Sequence, residues 1–89
     1  MSRLAEIKRF VLAEFAPDVR ADELADNFDL LDNGVVDSLG LLRLIGWVGE
    51  RYEIPVEEVD LTPDDFRSVD AIEKFVATHI PALSQEGLR

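Results

Sequence analysis

Apolar residues recur at steps of three and four in three separate stretches, and a proline closes each one. Leu4, Ile7, Val11 and Phe15 precede Pro17; the run from Leu39 to Tyr52 precedes Ile54-Pro55; Ile72, Phe75 and Val76 precede Pro81. That spacing is helical, and no segment shows the period-two alternation of a strand. Ser2 can cap a helix running to about Phe15, and a second helix opens at Asp37-Ser38 and runs to about Tyr52. Ser68 can cap a last one from Val69 to His79. Ile54 ends the second helix because the residue before a proline disfavours helix. Thr62-Pro63-Asp64-Asp65-Phe66 predicts a further short helical turn, with threonine at the cap and proline at the first position. The expected fold is all-α: a small four-helix bundle of three main helices plus one short helix.

Residues 17–36 carry no helical pattern, which leaves a loop of roughly twenty residues, long for a compact domain. It holds its own apolar anchors in Leu24, Phe28, Leu30, Leu31, Val35 and Val36, so it should pack over the core. Residues 1–80 are expected to form the domain and residues 81–89 a fraying tail.

Composition narrows the function. Nineteen Asp and Glu against nine Lys and Arg leave a formal charge of −10. Such a polyanion is a poor ligand for nucleic acid or an anionic membrane, which are held by lysine and arginine. The charge is uneven: residues 21–37 sum to −6, residues 52–70 to −6, and residues 38–51 to +1. With no cysteine, the chain has neither a disulfide nor a thiol nucleophile of its own. No apolar signal segment opens the chain, and the densest apolar stretch, Leu39 to Gly49, is too short to span a bilayer. The expectation is a soluble cytoplasmic protein.

On a helical wheel from Ser38, the residues Trp47, Leu44, Val48, Leu41, Tyr52, Ile45 and Leu42 cover so wide an arc that this helix should sit at the bundle's centre. The remaining strip holds Gly46, Leu39, Glu50 and Arg43. Leu39 is a large apolar residue on an exposed strip. Gly40, Gly46 and Gly49 each cost a helix about 1 kcal/mol relative to alanine, either for packing or to admit something close to the backbone. Ser38 stands at the helix N-terminus, where unpaired amides and the dipole favour a phosphate, and Asp37 can cap that end.

The whole stretch Phe28-Asp29-Leu30-Leu31-Asp32-Asn33-Gly34-Val35-Val36-Asp37-Ser38-Leu39 resembles the attachment region of acyl and peptidyl carrier proteins. The likeness extends along nearly all of the chain, from the first helix through the long acidic loop to the last helix. It implies that the Ser38 hydroxyl receives 4′-phosphopantetheine from coenzyme A, and that Asp37 positions the site and helps hold a transferase-bound metal. It implies that Leu39 enters partner enzymes, while Gly34 makes the loop turn, where positive φ is easy for glycine. The cargo would ride as a thioester on the arm, so the chain needs no catalytic residue and holds no metal itself. Implied partners are a phosphopantetheinyl transferase, an acyl- or aminoacyl-loading ligase, and an acyltransferase, ketosynthase or other condensing enzyme. A monomer in transient complexes suffices for all of them.

One feature departs from the carriers of fatty-acid synthesis, which bear several carboxylates along the exposed strip. Here that strip has Arg43 and glycines, with Glu50 as its main acid. A discrete carrier of polyketide or nonribosomal-peptide secondary metabolism is therefore the expected function, with partners read by Leu39, Arg43, Gly46, Trp47 and Glu50. The alternatives are a fatty-acid-synthesis carrier and an unmodified helical interaction module. An EF-hand fails because Leu31 and Gly40 stand where two calcium ligands are needed. A serine hydrolase fails because the single histidine, His79, lies near the other end of the chain.

Overall fold

The computed structural model describes residues 2–80, so Pro81 and the expected tail at 81–89 lie outside the described residues. Three α-helices form: α1 (Arg3–Phe15), α2 (Ser38–Tyr52) and α3 (Val69–His79). No strand occurs among the described residues. Each helix opens on a short polar side chain that accepts from the amide three residues on. Ser2 Oγ takes Ala5 N at 3.0 Å, Asp37 Oδ1 takes Gly40 N at 2.7 Å, and Ser68 Oγ takes Ala71 N at 3.0 Å. One orphan donor per helix is thereby satisfied.

The expected fourth helix is a single 3-10 turn, Pro63–Phe66. The Asp65 carboxylate accepts from Thr62 N at 2.9 Å and closes the turn on itself. Ser68, extended at φ −144° and ψ 165°, then breaks the chain before α3, so the turn cannot lengthen into an α-helix. A second 3-10 turn, Ala21–Glu23, sits inside the long loop.

The core is assembled from all of these parts. Ile7 and Val11 of α1, Leu44 and Val48 of α2, and Ile72 and Val76 of α3 are fully buried, together with Phe66 from the short turn. The loop adds Leu24, Leu30 and Val36 as expected, but Phe28 is 38% exposed and is no anchor. α3 packs directly on α1 and on the 63–66 turn. The expectation that α2 is central is therefore corrected: α2 keeps an open strip, and Leu42, assigned above to the buried arc, is 66% exposed. The return of the chain after Glu53 runs beside Gly49, where a Cβ would lie 3.1 Å from Val56. That return covers only the C-terminal half of this side of the helix, and Leu42 lies beyond it.

Ion pairs and aromatic rings join the helices on their outer seams. Arg3 pairs with Glu73 at 2.9 Å, linking α1 to α3. Arg51 pairs with Glu6 at 2.5 Å, and Tyr52 Oη donates to the same carboxylate at 2.6 Å, linking α1 to α2. Phe10 stacks on Trp47 with centroids 4.1 Å apart, and Tyr52 meets Trp47 edge-on at 5.8 Å.

The Tyr52 hydrogen bond, followed by Arg51, holds the Glu6 carboxyl below its ordinary 4.5 against the opposing effect of burial. Burial, and then Glu6, pushes the Tyr52 phenol well above its ordinary 10.0. A depressed carboxyl stabilises the fold above its unfolded value and loses that contribution as pH falls through its folded value. Tyr52→Phe should therefore lower stability by about 1 kcal/mol at neutral pH. The difference from wild type should shrink as pH falls below 4.5, measured by urea denaturation at a series of pH values. In the alkaline direction the sign is opposite to that of a depressed group: the contribution of the raised phenol is complete below pH 10.0 and is lost as pH rises from there through its higher folded value.

Gly40 and Gly46 give a second, independent test. A Cβ on Gly40 would lie 2.8 Å from Phe15 Cε1, whereas one on Gly46 would meet nothing within 4 Å. Gly46→Ala should stabilise the protein by about 1 kcal/mol through helix propensity. Gly40→Ala should lose that gain to displacement of the Phe15 ring. Equal denaturation midpoints for the two variants would show that the ring yields freely.

Candidate functional site

The loop that leads into α2 is built from local hydrogen bonds. Asp29 Oδ1 accepts from Leu31 N at 3.1 Å and Asp32 N at 2.8 Å, and Asn33 Nδ2 donates to Asp29 O at 2.8 Å. Such side-chain-to-backbone bonds are why Asp and Asn favour turns. The Asp32 amide, followed by Arg67, keeps the Asp29 carboxyl below its ordinary 3.8 although burial opposes it. Gly34 adopts φ +75°, the left-handed conformation expected from its place in the loop. Val36 N then donates to Leu30 O at 3.0 Å, and the Val36 side chain is buried. The chain thus reaches Asp37 with its direction already set.

Asp37, Ser38 and Leu39 are exposed at the open end of α2. Gly40 N is taken by the Asp37 carboxylate and Leu41 N by the Asp37 carbonyl at 2.7 Å. The amides of Ser38 and Leu39 remain at the helix N-terminus for solvent or an anion. Beside Ser38 lies a groove of about 410 Å³, lined by Leu31, Gly34 and Val36 of the loop, Leu41 of α2 and Pro63 of the short turn. A phosphodiester on Ser38 would therefore emerge at a positive helix end next to a largely apolar trough. The residues present fit a phosphopantetheine group.

The open strip of α2 begins at this serine. Leu39 is 73% exposed and Gly46 and Glu50 are also exposed, as the helical wheel placed them. Leu42 joins them, and the wheel missed it. At about 1.5 Å per residue, the strip from Ser38 to Glu50 spans about 18 Å. Arg43 lies at its edge, paired with Glu14 of α1 and with its guanidinium 5.9 Å above the Phe15 ring. Its charge is thus already met within the chain. Trp47 is half-buried under Phe10, so it supports the strip from the α1 side more than it presents a free face. His79 stands at the end of α3, with Nδ1 3.0 Å from Phe75 O and its ring on Phe75. Among the described residues there is no cluster of His, Cys, Asp or Glu able to hold a metal ion, and no helix long and apolar enough to cross a membrane.

No family model matches the chain, and no curated protein does. Two solved structures are similar to it. Apo KstB-PCP, a peptidyl carrier protein, shares 43% identity over 91% of each chain, with a TM-score of 0.75. The solution structure of KstB-PCP in kosinostatin biosynthesis shares 44% identity over 88% of each chain, with a TM-score of 0.63.

Asp37→Ala removes the cap that holds the first turn of α2 and should cost about 1 kcal/mol. Amide exchange should show the loss concentrated at Gly40 and Leu41, with the α1 and α3 amides unchanged apart from the global term. A variant as stable as wild type would mean that solvent caps this end equally well.

Proposed function

Because this chain belongs to the peptidyl carrier protein family, we propose that Ser38 carries 4′-phosphopantetheine and presents an aminoacyl or acyl group to the enzymes of a secondary-metabolite pathway. The observation that carries the reading is the placement of Ser38. It is the exposed first residue of a capped helix, held by an ordered loop, with an open groove beside it. Attachment forms a bond from Ser38 Oγ to the phosphorus of coenzyme A. The anhydride bond to 3′,5′-adenosine bisphosphate breaks, and the hydroxyl proton is given up to solvent or to the transferase. Carrier proteins of this kind are not themselves catalytic, and the chemistry on the cargo belongs to the partners.

The α2 strip supports the assignment to secondary metabolism over fatty-acid synthesis. Between Ser38 and Gly49 it holds no carboxylate, and its one cation is paired. Partner recognition in this reading rests on Leu39 and Leu42, with Gly46 allowing close approach and Glu50 closing the far end. Asp37 serves the transferase, Arg43 marks the edge of the strip, and Trp47 supports it from below. The partners are a phosphopantetheinyl transferase, a loading ligase and an acyltransferase or condensing enzyme. Cytoplasmic residence and a monomeric state in transient complexes belong to the same reading.

Incubation with coenzyme A and a broad-specificity phosphopantetheinyl transferase should add one phosphopantetheine to the intact mass. Ser38→Ala should add none. No gain by wild type, or a gain that survives Ser38→Ala, overturns the assignment in favour of an unmodified helical module. On the modified protein, Arg43→Glu should slow transfer to a cognate partner while leaving the fold intact, because it leaves Glu14 and the new carboxylate unpaired at the edge of the strip. Unchanged transfer kinetics would take Arg43 out of the recognition surface.

A further inference from the structure

The attachment loop and the turn before α3 meet at one side chain. Arg67 lies 3.1 Å from Asp29, 3.2 Å from Asp32 and 2.7 Å from Asp64, so one guanidinium serves three carboxylates. Two of those carboxylates belong to the loop and the third to the 63–66 turn. The same residue's backbone takes part, because Leu30 N donates to Arg67 O at 2.7 Å. Leu30 is fully buried, and its own carbonyl accepts from Val36 N. An unbroken path thus runs from Arg67 through Leu30 to Val36, the residue before Asp37-Ser38.

The same two segments contribute to the lining of the groove beside Ser38. Leu31, Gly34 and Val36 come from the loop, and Pro63, adjacent in sequence to Asp64, comes from the turn. The guanidinium therefore bridges the two segments that contribute to the groove's lining. Without it, Asp29, Asp32 and Asp64 would face one another as three like charges with no cation between them, which pushes loop and turn apart. Only arginine suits this place, since a planar fork can serve several carboxylates at once whereas a lysine offers a point charge.

We propose that Arg67 is a positioning residue for the attachment of phosphopantetheine, acting through the loop to fix Ser38 and the groove beside it. The proposal rests on the carrier reading above. A misplaced nucleophile is expected to lower turnover, since small displacements of reacting atoms are costly. A merely less stable substrate protein lowers only the concentration of its folded form, which raises the apparent KM and leaves kcat alone. The two effects are separable.

The test uses the full apo chain as substrate of a phosphopantetheinyl transferase, with modification followed by intact mass. Arg67→Gln is compared with Arg67→Lys and with Arg3→Gln, which makes the same charge change at the Arg3–Glu73 link between α1 and α3. Arg67→Gln should lower kcat at least fivefold and increase exchange at the Leu30 and Val36 amides. Arg67→Lys should fall between it and wild type, and Arg3→Gln should keep the wild-type kcat. If Arg67→Gln does not fold, Arg67→Lys carries the comparison. An unchanged kcat, or an equal loss in Arg3→Gln, overturns the proposal. A wild-type chain that gains no mass instead refutes the carrier reading. The exchange at Leu30 and Val36 then decides whether Arg67 holds the loop.

Discussion

Burial of Leu30, with its amide bonded to the Arg67 carbonyl, is the interaction on which the rest of the structure depends. The helices have thirteen, fifteen and eleven residues, lengths that are marginal without tertiary packing. A chain this small has little interior, and three such helices alone would leave one side of it open. The loop closes that side with Leu24, Leu30 and Val36. It is also tied at its middle, at Asp26: the side chain pairs with Lys8 at 2.8 Å, and the carbonyl accepts from Asp70 N at 2.8 Å. The segment that completes the core is therefore the segment that delivers Ser38. Folding and the placement of the site are one event.

The net charge of −10 has a different meaning once the pairs are known. Arg3, Lys8, Arg20, Arg43, Arg51 and Arg67 each meet a carboxylate of the same chain. Much of the positive charge is spent inside the protein, as ties between helices and loop. The excess acid is left on the surface of the segments that flank α2, while the α2 strip is close to neutral. Field and contact are thus divided between different parts of the molecule. The flanking acids act over about a Debye length, roughly 8–10 Å at ordinary salt, and the strip acts only on contact.

Most of the architecture was legible in the sequence because its signals are local. Ser2, Asp37 and Ser68 cap helices at the expected places, and the ends near Phe15, Tyr52 and His79 agree with the structure. Gly34 has the positive φ that its turn suggested. The errors fall where an answer depends on neighbours. A helical wheel gives the direction of Leu42 but not whether anything lies there, and the chain after Glu53 returns beside Gly49 instead. The expected short fourth helix is present as one 3-10 turn, because Ser68 stops it before it can become α-helical. Arg67 carries no signal in the sequence, because its loop partners Asp29 and Asp32 are more than thirty residues away. No local pattern marks such a pairing.

The character of the strip bears on how a carrier must work. Full burial of a leucine is worth about 1.5–3 kcal/mol, so Leu39 and Leu42 together supply about 3–6 kcal/mol before any cost of association. A millimolar complex already requires about 4 kcal/mol net, and lost rotational and translational freedom takes several more. With Arg43 neutralised by Glu14, little electrostatic contact energy remains on the strip. The protein surface alone therefore holds a partner weakly and briefly. Durable engagement needs a further contribution, and in the proposed reading that contribution is the arm on Ser38, which would reach a partner's interior. Once the surface has docked, the arm's own binding becomes intramolecular and gains from a high effective concentration. A partner arranged this way would keep a loaded carrier longer than an empty one.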